Sequence, residues 1–595
     1  LRPAPRSIIE EATVSTPAIK LSTLILVCLA LLPGPVTPQI VGSDVVPIID
    51  FGERFLPTVA AQGMIASPER LAAEAGLAML QQGGNAIDAA VATGFALAVT
   101  YPRAGNLAGG GFMLIHEAAT NRQILIDYRE TAPAAAMRDT YLDGEGAVDR
   151  ERLFFSRQAA GVPGTVAGLL HALDHYGSLD RATVLAPAIA LAEQGFTVDF
   201  RQAQELLERG DRLRMDPEAA RIFLRGGEAP FQPGEIIRQP DLAWTLREIA
   251  RDGAPAFYEG AIAARISADM AANDGLITKT DLAAYQAIER EPVRGHFGDY
   301  EIIATPPPSS GGIHIVQMLN ILGGFDLRGM GHNSASYLHH LTEAMKLAYA
   351  DRSEFLADPA FYPVPAPQLL DADYASRLRA EINPAQARAA ASIRPGAQLP
   401  AESTETTHYS VADRHGNLVS NTYTLNFSYG SHIVVPGTGM LLNNEMADFA
   451  AAPGKPNAFG LVQGEANRVE GGKRPLSSMT PTLVLREGRP WLATGSPGGS
   501  VIITTVLQVL LNAMVFDMNV AAAVSAPRIH HQWEPDRLTV EEGVSPDTLA
   551  LLRALGHEID TAARTLGHAQ SIMLDGAWLY GVADPRRPGG YVAGY

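Results

Sequence analysis

One cysteine, Cys28, is all that 595 residues contain, so a disulfide framework, a cysteine-rich zinc site and an iron–sulfur cluster are excluded by count. Cations are also scarce: 46 Lys and Arg stand against 64 Asp and Glu, a formal charge of −18, and no Lys/Arg run occurs. Neutralising phosphates needs clustered cations, so nucleic acid is not an expected partner. The apolar run near the start, residues 21–32, falls short of the roughly 20 residues a membrane span needs, and no stable span is expected.

Apolar residues make up 47% of the chain and charged residues 18%, enough for a large core and too apolar for extended disorder. The run 21–32 (LSTLILVCLALL) follows Lys20 and precedes Pro33-Gly34-Pro35. Its length suits a signal h-region better than a core helix, so residues 1–38 are read as an export leader. The protein is then expected in the periplasm or outside the cell. Cys28 departs with the leader, leaving a mature protein that holds together without disulfides and uses no thiol nucleophile.

The length is compatible with about four domains, yet only one strong break is visible. Residues 384–405 (PAQARAAASIRPGAQLPAESTE) lack hydrophobic periodicity and read as a flexible, exposed segment. Before it the pattern is mainly helical. Ser67 as N-cap, Pro68 at the first helical position and Gly83-Gly84 at the end frame one helix, with Leu71, Ala75 and Ala78 inward. Asn85 opens a second, AIDAAVATGFALAVT, apolar almost all round and so destined for a core. A third runs over 334–355 with Leu338, Leu341, Met345 and Ala348 inward. After the break, 406–411 and 418–426 form a hairpin across the turn 413–417, and 481–485 with 491–494 another. The loop 495–500 precedes an apolar helix over 501–516. Helices around paired hairpins predict an α+β layered fold.

Thr406 stands where the flexible segment ends and a strand begins. A threonine hydroxyl needs a base beside it, and its own α-amine, with a pKa of about 8, serves when threonine is N-terminal; otherwise Thr406 is an ordinary strand residue. Gly498 and Gly499 precede a helix whose first N–H groups are unpaired, a place for an oxyanion or a plain turn. Glu445 and Asp448, three apart, share a face of a helical turn and either grip an ammonium or stay solvated. Arg129 follows an Ile/Leu strand and either binds a carboxylate in bidentate fashion or pairs with Glu130 or another acid. His171 and His175 have a metal-compatible spacing without an evident third ligand, and the neighbours His339-His340 diverge on a helix. Gly109-Gly110-Gly111 lacks the Lys-Ser/Thr of a phosphate loop. No cofactor and no metal are expected.

Taken together, Thr406-Thr407-His408-Tyr409-Ser410, Thr422-Tyr423-Thr424-Leu425-Asn426, residues 441–449 (LLNNEMADF), residues 473–479 (KRPLSSM) and residues 494–499 (TGSPGG) resemble the γ-glutamyltransferase (γ-glutamyltranspeptidase) family. The resemblance extends from about Ala60 to Tyr595 and includes residues 127–133 (DYRETAP) and 584–586 (DPR).

It implies an αββα sandwich of the N-terminal-nucleophile hydrolase type and a precursor that cuts itself before Thr406. A large subunit, 39–405, and a small one, 406–595, would then stay together. It further implies Thr406 as nucleophile with Thr424 orienting it, and Gly498 and Gly499 as oxyanion donors. Arg129, Ser477 and Ser478 would hold the α-carboxylate, and Asn426, Glu445 and Asp448 the α-ammonium. The implied activity is γ-glutamyl transfer from glutathione and related compounds to water, amino acids or peptides. A cephalosporin or glutaryl acylase of the same family is the alternative, and an exported amino-acid-binding or scaffold protein the alternative from another class. Phe459 stands where lid-bearing relatives carry Tyr, which implies a looser lid and broader acyl acceptance.

Overall fold

The computed structural model describes residues 54–393, 406–453, 464–561 and 565–595. The leader over 1–38, Cys28, Phe459 and the cut at 405/406 lie wholly or partly outside the described residues. Fourteen strands build two antiparallel sheets: β1 (Thr58–Ala60), β2 (Gly63–Ser67), β3 (Gly110–Glu117), β4 (Arg122–Asp127), β5 (Ile288–Arg290), β6 (Val293–Phe297), β7 (Tyr300–Ala304), β8 (Thr407–Asp413), β9 (Leu418–Thr424), β10 (Thr482–Arg486), β11 (Arg489–Thr494), β12 (Gln570–Asp575), β13 (Trp578–Ala583) and β14 (Tyr591–Gly594). One sheet has the order β1-β13-β12-β11-β10-β7-β6 and the other β14-β2-β8-β9-β3-β4-β5.

The sheets face each other through β8 and β9 against β11 and β12. Helices α1 (Arg70–Gln81), α2 (Ala86–Thr100) and α3 (Thr165–Tyr176) cover the second sheet. On the first sheet lie α4 (Gly311–Leu322) and α7 (Val520–Ser525), with α5 (Ala335–Phe355) and α6 (Val501–Met514) packed around α4. This is a four-layer αββα sandwich. β8 and β9 insert between β2 and β3, so the segment after 406 completes a sheet that the segment before it begins.

The expected hairpins form, with Ala412 opposite Leu418 in the first and Leu483 opposite Ala493 in the second. Every residue of α2 is buried, as its all-round apolar pattern requires. Asn85 caps it through Ile87 and Asp88 N–H groups, Asp88 returns a bond to Asn85 N–H at 2.8 Å, and Asn85 Nδ2 also donates to Tyr176 O at the end of α3. Asn85→Ala is expected to destabilise the protein by about 1–2 kcal/mol, while Asn85→Ser keeps most of the cap; urea unfolding midpoints check this.

Two local expectations are corrected. Helix α1 starts at Arg70, not at Pro68, because the Glu69 carboxylate takes the N–H groups of Leu71 and Ala72, both at 2.9 Å. Its buried face accordingly holds Ala72, Ala75, Gly76 and Met79, with Leu71 and Ala78 half-buried. The segment 384–393 is anchored rather than free: Ala387 N–H donates to Leu555 O at 2.7 Å, Ala390 N–H to Asp536 at 2.8 Å, and Trp533 Nε1 to the buried Ala390 carbonyl at 3.0 Å.

Candidate active site

Thr406 sits one residue before β8, in the middle of the second sheet, and is 5% exposed. Its Oγ1 donates to Thr424 Oγ1 across the hairpin at 3.4 Å. Thr424 in turn accepts the Asn426 N–H at 2.8 Å. Asn426 adopts φ 74° and donates through Nδ2 to Asn444 O at 2.9 Å, a conformation Asn tolerates better than most residues. Behind this turn lies Asn106, unremarked in the sequence: its Nδ2 donates to Thr424 O at 2.9 Å, and its Oδ1 accepts from Gly109 N–H and Thr165 Oγ1. A Cβ at Gly109 would stand 2.0 Å from Thr424 O, and one at Gly110 would stand 2.5 Å from Glu130 Oε2. The three-glycine string is therefore a place where backbone and site residues approach closely.

Gly498 and Gly499 have φ 133° and 57° and lead into α6. The loop is held from both sides: Ser496 Oγ accepts His568 N–H at 2.8 Å, Tyr349 OH donates to Ser500 O at 2.5 Å, and Ser500 Oγ donates to Gln532 at 2.6 Å.

Arg129 is completely buried after β4. Its guanidinium bonds Glu445 through Nη1 and Asp448 through Nη2, lies 3.4 Å from Glu130 Oε2, and donates through Nε to Pro475 O at 3.2 Å. Glu445 and Asp448 occupy one turn of 3-10 helix, where side chains three apart eclipse, and so reach the same guanidinium. The Arg129 carbonyl accepts from Tyr285 OH and Arg474, and Arg474 and Arg290 pair with Asp127 beneath it. Burial opposes the Arg129 charge, but the surrounding carboxylates outweigh it and keep the group protonated. Burial pushes all three acids upward, Glu130 to about 7, with Arg129 opposing the rise.

A cavity gathers these groups: Thr406, Thr424, Asn426, Arg129, Glu445, Asp448, Ser477, Ser478 and Gly499 all line it, with Gly498 adjacent to Gly499 in the loop. Ser477 and Ser478 are seated by the loop that opens α4, through Ser310 N–H to Ser477 O at 2.9 Å and Ser477 N–H to Pro308 O at 2.8 Å. The resemblance assigns Arg129 to one charge of a ligand and Glu445 and Asp448 to the other; here Arg129 and these acids are bonded to each other. Sequence reasoning also passed over Arg352, a buried residue of α5 on the cavity wall. Its helical spacing marks it only as part of a face.

His171 and His175 stack on α3, and His171 bonds Glu289 at 2.8 Å. Elsewhere His339 groups with Glu343, one turn along α5, and with His557. The two imidazoles are hydrogen-bonded to each other at 2.8 Å, His339 also bonds Asn383 O, and Lys346 lies 2.9 Å from Glu343, so these ligand atoms are engaged in a polar network.

The two facing antiparallel sheets between helical layers, with a cavity at the head of a central strand, define the N-terminal-nucleophile hydrolase fold. A sequence model of the family "Gamma-glutamyltranspeptidase" matches residues 72–594, and the chain belongs to that family. It is 50% identical to a glutathione hydrolase proenzyme of Escherichia coli K12 over 91% of this chain and 93% of the relative, and 43% identical to one from Pseudomonas sp. A14 over 91% and 95%. The crystal structure of cephalosporin acylase from Bacillus halodurans superposes with a TM-score of 0.80 at 29% identity, covering 93% of this chain and 99% of that one. Among the described residues no helix is long and apolar enough to cross a membrane.

Proposed function

We propose that the protein is an exported, self-cleaving γ-glutamyl hydrolase and transferase acting on glutathione and related γ-glutamyl compounds. The observation that carries this reading is a single cavity in which the Thr406 hydroxyl faces a buried cluster of one guanidinium and two carboxylates. That cluster has partners for both charges of an amino-acid head group. A zwitterion takes over the pairing between Arg129 and these acids: its α-carboxylate takes Arg129 with Ser477 and Ser478, and its α-ammonium takes Glu445, Asp448 and Asn426.

Maturation begins when Thr406 Oγ1 attacks the Glu405 carbonyl carbon. The Oγ1 proton passes to the amide nitrogen as the Glu405–Thr406 C–N bond breaks, which frees the Thr406 amine and leaves an ester on Oγ1; water hydrolyses that ester to release the Glu405 carboxylate and restore the hydroxyl. In turnover Oγ1 attacks the substrate γ-carbonyl carbon while its proton passes to that amine, with Thr424 orienting the hydroxyl. The Gly498 and Gly499 N–H groups hold the oxyanion. The amide C–N bond then breaks as the ammonium returns the proton to the leaving amine, and water or an acceptor amine cleaves the γ-glutamyl ester, restoring Thr406.

Glu445 and Asp448 favour this over the acylase reading, because a glutaryl group has no ammonium to meet these two carboxylates. Turnover of a γ-glutamyl anilide against a glutaryl anilide tests the choice: preference for the glutaryl substrate would overturn it. N-terminal sequencing of the small fragment should begin at Thr406. Gly498→Ala is expected to lower kcat by about 100- to 1000-fold, the cost of one misplaced oxyanion donor, since φ 133° strains any side chain; steady-state kinetics on fully cleaved enzyme measure it.

A further inference from the structure

Arg352 is 2% exposed near the end of α5 and shares the cavity wall with Thr406 and Ser478. Its Nη2 donates to Ser478 Oγ at 3.0 Å and its Nε to Ser310 Oγ at 2.9 Å, while Ser310 Oγ donates to Ser477 O at 2.9 Å. One guanidinium thus braces both serines, Ser478 directly and Ser477 through Ser310. Its charge also reaches Asp448, whose carboxyl it stabilises against burial.

A serine hydroxyl has one proton and two lone pairs. When an N–H fills a lone pair, the proton is directed to another acceptor, and a cationic donor polarises the O–H and strengthens it. Ser478 Oγ accepts from Arg352, and Ser477 Oγ accepts the Met479 N–H at 3.0 Å. Both hydroxyls are thereby set as donors. Arg129 already faces Glu445, Asp448 and Glu130, so an anion arriving there meets a guanidinium shared among three acids.

We infer that Arg352 is a positioning residue for the α-carboxylate of the γ-glutamyl group: it fixes the Ser478 hydroxyl as a donor and supplies cationic charge to that end of the cavity. This deepens the γ-glutamyl reading and rests on it. The pertinent comparison is between a γ-glutamyl anilide and a 4-aminobutanoyl anilide, which is the same acyl chain without the α-carboxylate. In wild type the glutamyl substrate should be preferred in kcat/KM. In Arg352→Gln that preference should fall about 10- to 100-fold, the scale of a hydrogen bond to a charged group, with the loss in KM for the glutamyl substrate. Arg352→Lys keeps the charge but cannot span Ser310 and Ser478 together, and should lower the preference several-fold. Rates are taken per cleaved chain.

If Arg352→Gln fails to accumulate as cleaved enzyme, Arg352→Lys decides. An unchanged preference in the cleaved variants overturns the inference, as does an equal loss on both substrates. A wild-type enzyme that does not distinguish the two anilides would instead overturn the γ-glutamyl reading itself.

Discussion

Thr406→Ala is expected to accumulate as one uncleaved chain and to lose at least about 10⁴-fold in γ-glutamyl turnover. The same oxygen atom is proposed to open the Glu405–Thr406 bond and then the substrate amide, so its removal stops both. His408, two residues along, is held neutral by burial, which pushes its pKa down to about 3, and its ring nitrogens bond Thr422 at 2.8 Å and Ser410 at 3.1 Å. The mature chain has no thiol if the leader carries Cys28 away. Thr406→Ser keeps the hydroxyl but loses the β-methyl that restricts its rotamers, so it should still cleave, more slowly. Denaturing electrophoresis and anilide hydrolysis read the two effects separately. A Thr406→Ala chain that still yields a fragment starting at residue 406 would sink the nucleophile assignment.

Arg129→Gln is expected to be the most damaging change away from the nucleophile. It leaves Glu130, Glu445 and Asp448 buried together without their cation, and breaking a buried pair in this way costs about 3–5 kcal/mol. The size of the loss depends on pH. Burial already raises all three carboxyls, and without Arg129 they rise further. A carboxyl raised in the folded state contributes stability that is present below its unfolded pKa and disappears as pH rises through the folded value. In wild type this window for Glu130 runs from about 4.5 to about 7. In the variant the folded values are higher, so the deficit against wild type should be small near pH 5 and grow as pH rises past 7. Thermal midpoints compared in a Thr406→Ala background, where one continuous chain unfolds, test the sign: a deficit that shrinks on raising pH would refute the coupling. In cleaved enzyme the same substitution should raise KM for the γ-glutamyl anilide on the order of 100-fold.

The contrast between Asn85 and Arg129 shows how far local pattern reaches. Asn85 and Asp88 are three residues apart, and their reciprocal cap is legible because a helix start is a local event. The start of α1 differs from the expected one for the same reason in reverse: Ser67-Pro68 is a good opening pair, but Glu69 also reaches the first N–H groups and Thr100, 31 residues away, fastens its carboxylate. The segment after 384 looks unstructured because small residues carry no periodicity, while Leu555, Asp536 and Trp533 pin its first part from afar.

By itself the sequence determined the hairpins, the buried helices, the exclusion of cysteine chemistry, and the set of motifs from which the family and its candidate site residues are readable. Only the tertiary structure decided that Arg129 meets Glu445 across 316 residues, that Asn106 holds the Thr424 carbonyl where Gly109 lets it approach, and that Arg352 stands behind Ser478. The physical reason is that periodicity and capping are set by neighbours within about one turn or one hairpin. Which charges share a cavity is set by the order of strands in two sheets, and no short window of sequence contains that order.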